Sequence, residues 1–407
     1  MLIRFSFENF KSFKTENCLD MKATSLKEHE YNLAEINDDK YLKVSAIYGA
    51  NASGKTNVLL AFHYMKQRIL VSDDSNKKAM INEENFFSFM INEKPIALEV
   101  EILARNNKIY KYGFEVLKDR IKSEWLYRKN SKGFSTIFER NDNNHVVIKE
   151  GRKELEFNVD SSTLFLNIYS KLNAKNTDFM NVYSWFMGAN YLDLGNPFFE
   201  SIINNRISLK IIGDMNYREE LVRFIKTFDP GIEDIKTTPE TLEEVKNNNN
   251  SIKVELVHRT EDDELKALPL ELESNGTRKM FHLFDFLMDA LKMGMVLFVD
   301  ELDAKLHPLL TKYIINLFHN SKTNIGNGQL IYSTHDTTNL NKETFRRDEI
   351  WFTEKDKNGI SSLYSLADYK IDNVKVRNDA TYNKDYLTGR YGAIPVLEEF
   401  DIRINEG

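Results

Sequence analysis

Residues 49–56 combine small side chains with a lysine and a threonine in an order suited to holding phosphate. They read Gly-Ala-Asn-Ala-Ser-Gly-Lys-Thr, a full match to G-x-x-x-x-G-K-[ST], and they follow a strand-like run at 44–48. Small residues let backbone N–H groups approach phosphates closely, and a helix opening at Lys55 adds its positive end. We expect Lys55 to contact the β- and γ-phosphates of a nucleotide and the Thr56 hydroxyl to ligate Mg²⁺. The alternative is a glycine-rich turn that binds nothing. The other predicted nucleotide-binding residues here are Gly49, Asn51, Ser53, Gly54 and Asn57.

A second group of chemically suited residues follows an apolar run at 295–303, which reads Met-Val-Leu-Phe-Val-Asp-Glu-Leu-Asp. A continuous apolar run predicts a strand buried on both faces of a parallel sheet. Active sites of open α/β sheets lie at the carboxyl ends of such strands, where Asp300 and Glu301 would emerge. Asp300 is therefore the predicted Mg²⁺ partner, and Glu301 the residue that polarises a water for attack on the γ-phosphate. Two acids that only cap a neighbouring helix are the alternative.

A histidine follows a third predicted strand. The run at 329–334 is apolar and β-prone, and it ends on His335 and Asp336. A neutral imidazole at a strand end beside the acids could sense or position the γ-phosphate. The alternative is a histidine that only packs.

A fourth segment, Glu-Ser-Asn-Gly-Thr-Arg-Lys at 273–279, precedes a predicted helix. From Met280 the apolar residues recur at helical spacing, and Gly294 supplies a stop signal. Ser274 and Gly276 then lie at a helix N-terminus, which is suited to anions. An ordinary capping turn is the commoner meaning of this pattern.

Taken together and in this order, the four segments resemble the ABC-type ATPases of the SMC/RecF/OLD-like branch. The opening residues 2–13 resemble that branch's first strand and its turn beside the nucleotide. Residues 274–277 correspond to the ABC signature, 299–301 to Walker B, 303–307 to the D-loop and His335 to the switch histidine. The resemblance implies an α/β fold, namely an ABC-type P-loop NTPase core with an antiparallel β-subdomain and a helical insertion. It also implies Mg²⁺-dependent hydrolysis of ATP by a dimer, in which each signature completes the site of the other chain.

More narrowly, residues 273–279, 300–308, 346–352, 363–366 and 389–395 are similar to stand-alone bacterial RloA-like ATPases. Members of that group occur in anti-phage systems beside nuclease or RNA-targeting effectors. The resemblance thus implies a homo-oligomer that regulates a separate effector protein encoded nearby. A RecF-like ATPase that binds DNA for repair or recombination is the alternative, so nucleic acid stays a possible partner.

Two departures from the ABC pattern are visible. The signature lacks the second glycine and the terminal glutamine of the commonest form. The glutamine of the Q-loop is also not evident, because the chain offers only Gln67 on a predicted helix and Gln329 at a strand start. The segment 85–89 falls near the expected position of that loop.

The length, composition and net charge of the chain argue against some classes of protein. The chain has 407 residues with 42% hydrophobic content, enough for a large core, and a net charge of −7, which argues against a nucleic-acid-coated protein. A single cysteine, Cys18, rules out a disulfide framework and fits a reducing cytosol. The sequence shows no run of about eighteen apolar residues, so we expect a cytoplasmic protein without a membrane span.

The pattern of elements predicts three units. Residues 1–160 form the first ATPase lobe with the P-loop and an antiparallel meander at 96–148, because short alternating runs there are separated by turn residues. Residues 161–250 form a mainly helical insertion that ends in a polar loop at 247–250. Residues 251–407 form the second lobe with the signature, Walker B and switch histidine. Basic residues cluster near Trp125, within 118–132, and a second basic pair stands at 346–347. For each of them the sequence allows two interpretations: a binding surface or an ordinary solvated face.

Overall fold

The computed structural model describes residues 1–71, 94–150, 153–171, 177–204, 206–238, 252–371, 374–377 and 380–395. The predicted Q-loop region at 85–89 and the predicted polar loop at 247–250 lie outside the described residues. Within these ranges the strands are β1 Leu2–Glu8, β2 Asn17–Asp20, β3 Leu33–Ile36, β4 Asp39–Leu42, β5 Val44–Gly49, β6 Ile96–Leu103, β7 Ile109–Leu117, β8 Arg120–Asn130, β9 Gly133–Arg140, β10 His145–Glu150, β11 Lys153–Asn158, β12 Asn190–Asp193, β13 Ile232–Thr238, β14 Lys253–Arg259, β15 Leu265–Pro269, β16 Val296–Asp300, β17 Gln329–Ser333, β18 Ile350–Lys355, β19 Ser361–Ser365, β20 Lys370–Ile371 and β21 Val374–Lys375.

The helices of the described residues connect and cover these strands. They are α1 Lys55–Leu70, α2 Phe165–Ser170, α3 Thr177–Gly188, α4 Pro197–Asn204, α5 Lys210–Gly213, α6 Met215–Lys226, α7 Asn275–Met293, α8 Pro308–His319 and α9 Tyr382–Leu387.

The central layer is a six-stranded sheet in the order β12-β16-β17-β5-β18-β19. Every neighbouring pair is parallel except β18 and β19, which form an antiparallel hairpin. The carboxyl ends of β5, β16 and β17 therefore meet at one edge of the sheet. This arrangement confirms the predicted α/β core, and it brings the P-loop, the acids and the histidine to the same edge.

The central strands β5, β16 and β17 are buried along their whole length because both of their faces are covered. Phe298 of β16 packs on α1, and its ring stacks on Phe62 with a centroid separation of 3.9 Å. The alternate residues Leu297 and Val299 belong to the core formed with α7 and α8 on the opposite face. Alternation of side chains along a strand divides one run between two cores, which explains why the run lacks a polar face.

An eight-stranded antiparallel sheet in the order β11-β10-β9-β8-β7-β6-β1-β2 forms the second layer. It contains the predicted meander at 96–148, with turns at 105–107, 131–132 and 142–144, so this β-subdomain is confirmed. Within the basic patch, Lys122 pairs with Asp142 and Arg128 with Asp178. Smaller sheets join β13 to β14 and β15, β3 to β4, and β20 to β21.

Two strands in the predicted helical insertion pair outside it. β12 lies in parallel beside β16 in the central sheet, and β13 pairs with β14, across the predicted boundary at 250. Four residues are too few for a periodic signal, so the sequence alone does not indicate that β12 belongs to the central sheet. Helices α2 to α6 fill most of the remainder of the region, in line with its predicted helical character.

Candidate nucleotide-binding site

Two glycines shape the loop between β5 and α1. Gly49 has φ of 155°, and a methyl group there would lie 2.5 Å from both Ser53 Oγ and the carbonyl oxygen of Thr353. Gly54 has φ of 117° at the N-cap of α1. L-residues rarely adopt these conformations. The loop therefore needs glycine at both ends to fold back over the sheet edge and start the helix.

Lys55 lies in the first turn of α1 and folds back over this loop. Its ammonium donates hydrogen bonds to the carbonyl oxygens of Gly49 at 2.8 Å and Ala50 at 3.1 Å. Burial lowers the pKa of Lys55 from 10.5 to about 8, and attraction to Asp300 and Glu301 opposes this effect. The lysine is thus held over the loop, close to the acids at the end of β16.

The acids at the end of β16 are fixed by Ser333 at the end of β17. The Ser333 hydroxyl donates to Asp300 Oδ1 and accepts from the Glu301 backbone N–H at 2.9 Å. Asp300 is only 2% exposed. Glu301 has φ of 51°, a left-handed conformation that turns the chain sharply after Asp300. The sharp turn separates the two carboxylates, with Asp300 inward and Glu301 at the open edge.

A cavity of about 690 Å³ brings the predicted residues of the three strands together. It is lined by Asn51, Ala52, Ser53, Gly54, Lys55, Thr56, Asn57, Glu301, His335 and Lys355. His335 is exposed at its edge, and its backbone N–H lies 3.3 Å from Asp303 Oδ2. Gly49 and Asp300 are not among the lining residues: Gly49 ends β5 at the start of the loop, and Asp300 is linked to the Glu301 backbone through Ser333.

Several residues of this site carry no recognisable signal in the sequence. Thr353 of β18 lies 2.6 Å from Ser53 through their hydroxyl oxygens, and Ser361 of β19 donates to the Ser53 carbonyl at 2.6 Å. Lys355, at the end of β18, lines the cavity. Asp193 lies opposite Asp300 in the pairing of β12 with β16, and its pKa is raised by burial and by Asp300. Only strand pairing brings these residues to the site.

The opening segment lies beside the nucleotide loop, as the resemblance implies. The Ser12 hydroxyl accepts from Asn57 Nδ2 at 2.8 Å and from the Ser361 hydroxyl at 2.8 Å. Asn57 therefore lines the cavity while its amide is bonded to this turn.

Gln329 supports the sheet rather than the cavity. Its side-chain oxygen accepts from the Leu2 N–H at 2.6 Å, and its nitrogen donates to the carbonyls of Leu2 and Leu42. It is fully buried, so it acts as a clamp between strands.

The predicted signature turn is not part of this cavity. The Ser274 hydroxyl caps α7 by accepting from the Thr277 N–H at 3.1 Å, and Gly276 faces Leu310 of α8. Ser274 and Gly276 are absent from the cavity lining within the part of the chain that the structure describes. The helix starts at Asn275 and ends before Gly294, whose φ is 69°, which confirms the predicted helix and its stop.

The sequence was also compared with known proteins. Residues 44–341 match the family described as "AAA domain, putative AbiEii toxin, Type IV TA system". The chain belongs to this AAA-domain family. The matched region runs from the first residue of β5 past His335, and so contains every predicted site residue.

The chain also shows low-identity similarity to several solved structures. An Smc head bound to the C-winged helix domain of ScpA is 13% identical, with a TM-score of 0.46, covering 89% of this chain and 97% of that chain. An Smc head domain from Pyrococcus furiosus is 14% identical, with a TM-score of 0.44, covering 89% and 96%. The recombination mediator RecF is 13% identical, with a TM-score of 0.38, covering 89% and 98%. No curated protein matches the sequence.

The donor set of this AAA domain fits a magnesium ion. Asp300 supplies a carboxylate that Ser333 holds in place, and Thr56 supplies a hydroxyl at the start of α1. Mg²⁺ prefers oxygen ligands and is usually bound by one or two protein groups together with substrate phosphates. Thr56 and Asp300 are therefore suited to hold it.

No helix among the described residues is both long and apolar enough to cross a membrane.

Proposed function

We propose that the chain binds and hydrolyses ATP, and that bound ATP joins two copies head to tail. The cavity that unites the P-loop residues with Glu301 and His335 carries this proposal. Phosphate-binding amides, a lysine, a carboxylate and an imidazole around one space are the groups that phosphoryl transfer to water requires.

Each side chain has a defined task in this proposal. The Lys55 ammonium exchanges its two loop carbonyls for the β- and γ-phosphates. Glu301 accepts a proton from the attacking water, and His335 positions the γ-phosphate. Mg²⁺, held by Thr56 and Asp300, would neutralise developing phosphate charge. Ser333 supports these separate roles because its hydroxyl holds the Asp300 carboxylate and the backbone of Glu301.

The position of the signature turn supports dimerisation. Ser274 and Gly276 lie at a helix N-terminus and, within the described residues, are not part of the cavity lining of their own chain. Two large apolar side chains near this turn are exposed: Leu272, two residues before Ser274, is 68% exposed, and Leu309, the chain neighbour of the Leu310 that Gly276 faces, is 67% exposed. Exposed apolar groups beside an anion-binding helix end suit a surface that a second copy covers. ATP bound on the partner's P-loop would then meet Ser274 and Gly276.

The biological role that we propose is regulation of a separate toxic effector in bacterial anti-phage defence. The family description names a toxin of a Type IV TA system, and the resemblance to RloA-like ATPases points the same way. The effector would be a nuclease or RNA-targeting protein encoded nearby, and co-purification with the neighbouring gene product tests this part.

The enzymatic part is tested with two variants. Lys55→Ala removes the phosphate-binding cation, so ATP binding measured by calorimetry should be lost. Glu301→Gln keeps the shape but not the base, so ATP should still bind while turnover falls roughly 10²-fold or more. Glu343→Gln, at an exposed position outside the cavity, is the matched control and should hydrolyse ATP at the parent rate. Parent-like ATP affinity in Lys55→Ala would contradict the proposal.

A further inference from the structure

One wall of the nucleotide cavity comes from the hairpin of β18 and β19 in the C-terminal part of the chain. This hairpin lies on the opposite side of β5 from the acids, because the sheet order is β16-β17-β5-β18. Lys355, the last residue of β18, is the hairpin residue that lines the cavity. It thus lies across the P-loop from Glu301.

The direction of the Lys355 side chain follows from strand geometry. Side chains two residues apart on a strand share a face, and Thr353 contacts Ser53 of the P-loop. Glu354, between them, lies on the other face: a methyl group at Gly392 would be 3.0 Å from its carboxylate oxygens. Lys355 therefore extends the face that contacts the P-loop.

The hairpin is fastened to the loop at this level. Ser361 is the register partner of Lys355, and its hydroxyl donates to the Ser53 carbonyl at 2.6 Å. Its backbone N–H also donates to the carbonyl of Ser12 at 2.8 Å. The backbone beneath Lys355 is thus held against the nucleotide loop from two directions, which fixes where the ammonium can reach.

The ammonium of Lys355 is available for a ligand. The Lys55 side chain already donates to two loop carbonyls, whereas no hydrogen bond or ion pair joins the side-chain ammonium of Lys355 to any other described residue. A lysine binds phosphate as a point charge without the planar geometry that arginine requires. We propose that Lys355 is a further nucleotide-binding residue, which contacts the phosphate chain from the side opposite Glu301. This inference rests on the proposed function of the cavity.

Binding of MgATP and MgADP by calorimetry tests the role of Lys355. Lys355→Ala should weaken binding roughly tenfold, because a charge-assisted contact is lost. Lys355→Arg should retain most of the affinity, and Lys355→Glu should lose more than alanine because like charges repel. Lys357→Ala removes another exposed lysine two residues away, outside the cavity lining, and should bind as the parent does. Unchanged melting temperatures should accompany all four variants.

The outcomes separate this inference from the proposed function. Parent-like affinity in Lys355→Ala, together with lost binding in Lys55→Ala, would overturn the role of Lys355 and leave the function standing. Equal weakening in Lys355→Ala and Lys357→Ala would also overturn it, since only overall charge would then matter. Parent-like affinity in Lys55→Ala would overturn both.

Discussion

Gly195 lies directly against the carboxylate of Glu301: a methyl group on its α-carbon would be 2.1 Å from Glu301 Oε2. Real side chains do not tolerate such a distance, so only glycine at this position leaves the carboxylate where it is. Gly195 follows β12, the edge strand beside β16. The turn after β12 therefore forms the surface against which the proposed base is held.

Gly195→Ala should reduce ATP hydrolysis without abolishing ATP binding. The added methyl group displaces Glu301, and a misplacement of about 1 Å in a catalytic group can cost up to about 10²-fold in rate. The added methyl group would meet the Glu301 carboxylate, whereas Lys55 is held by the Gly49 and Ala50 carbonyls, so calorimetry should give parent-like ATP affinity. Gly188→Ala is the control, because its methyl group would meet only the Met295 side chain at ordinary contact distances from 3.6 Å. Equal hydrolysis by the two variants would show that the position of Glu301 does not limit the rate.

ATP affinity should fall as the pH rises above about 8. Burial lowers the pKa of Lys55 from 10.5 to about 8 in the ligand-free protein, so the amine is charged at pH 7 and mostly neutral at pH 9. Phosphate favours the ammonium form, and binding at pH 9 should therefore take up a proton. The unfolded chain keeps the ordinary value and binds more protons between pH 8 and 10.5, so this group makes the unfolding free energy rise with pH in that window.

Calorimetry at pH 7 and pH 9, in buffers of different ionisation enthalpy, measures this proton uptake. Lys279→Met is the control, since burial also lowers the pKa of Lys279 to about 8, yet this lysine donates to the Ala304 carbonyl outside the cavity. Its loss should leave the uptake unchanged. If ATP binds with the same affinity at pH 7 and pH 9, and without proton uptake at either pH, the result would argue against contact between Lys55 and phosphate.

The sequence predicted those structural elements that a short segment specifies by itself. The P-loop, the strand ending in Asp300 and the cap at Ser274 each depend on neighbours in the chain, and each was found where expected. Gly195, Asp193 and Lys355 join the site only through the pairing of β12 with β16 and of β18 with β5. Their local sequences are an ordinary turn and a charged strand end, so no pattern in them predicts a role.

Arg346 shows that local sequence also does not predict which charged residues are buried. The pair at 346–347 was open between a binding surface and a surface pair facing the following acids, but Arg346 is fully buried. Its guanidinium donates to both oxygens of Asp348, at 2.9 and 2.8 Å, and to the carbonyls of Leu26 and Glu28. The segment that covers it comes from the other end of the chain, which local sequence does not reveal.

Arg346→Met should destabilise the protein by about 3–5 kcal/mol, because it leaves the Asp348 carboxylate buried without its partner. Arg4→Met is the comparison: its ion pair with Asp20 is solvent-exposed and should contribute about 1 kcal/mol or less. Urea unfolding gives both values. Adding Asp348→Leu to Arg346→Met should recover part of the lost stability. Equal effects of Arg346→Met and Arg4→Met would show that breaking the buried ion pair costs no more than breaking the exposed one.

Gly276→Asp should prevent ATP-dependent dimerisation and hydrolysis while leaving ATP binding intact. The turn at Gly276 is absent from its own chain's cavity, so the added carboxylate would meet only nucleotide held by a partner. Like-charge repulsion against that γ-phosphate is costly in a partly desolvated site. Gly276→Ala is the matched control, because Leu310 lies 3.6 Å from the added methyl position and leaves room for it. Analytical ultracentrifugation with a non-hydrolysable ATP analogue measures the association.

Mixing Gly276→Asp with Lys55→Ala extends this prediction to the composite site. Neither variant should hydrolyse ATP alone, but a mixed dimer contains one intact site: the Gly276→Asp chain supplies its P-loop, and the Lys55→Ala chain supplies its signature turn. Some activity should therefore return on mixing. A mixed dimer has one of the parent's two sites, so its ATPase rate should reach at most about half of the parent rate. If Gly276→Asp associates normally with the analogue and mixing restores nothing, Ser274 and Gly276 only cap α7, and the two-chain site is wrong.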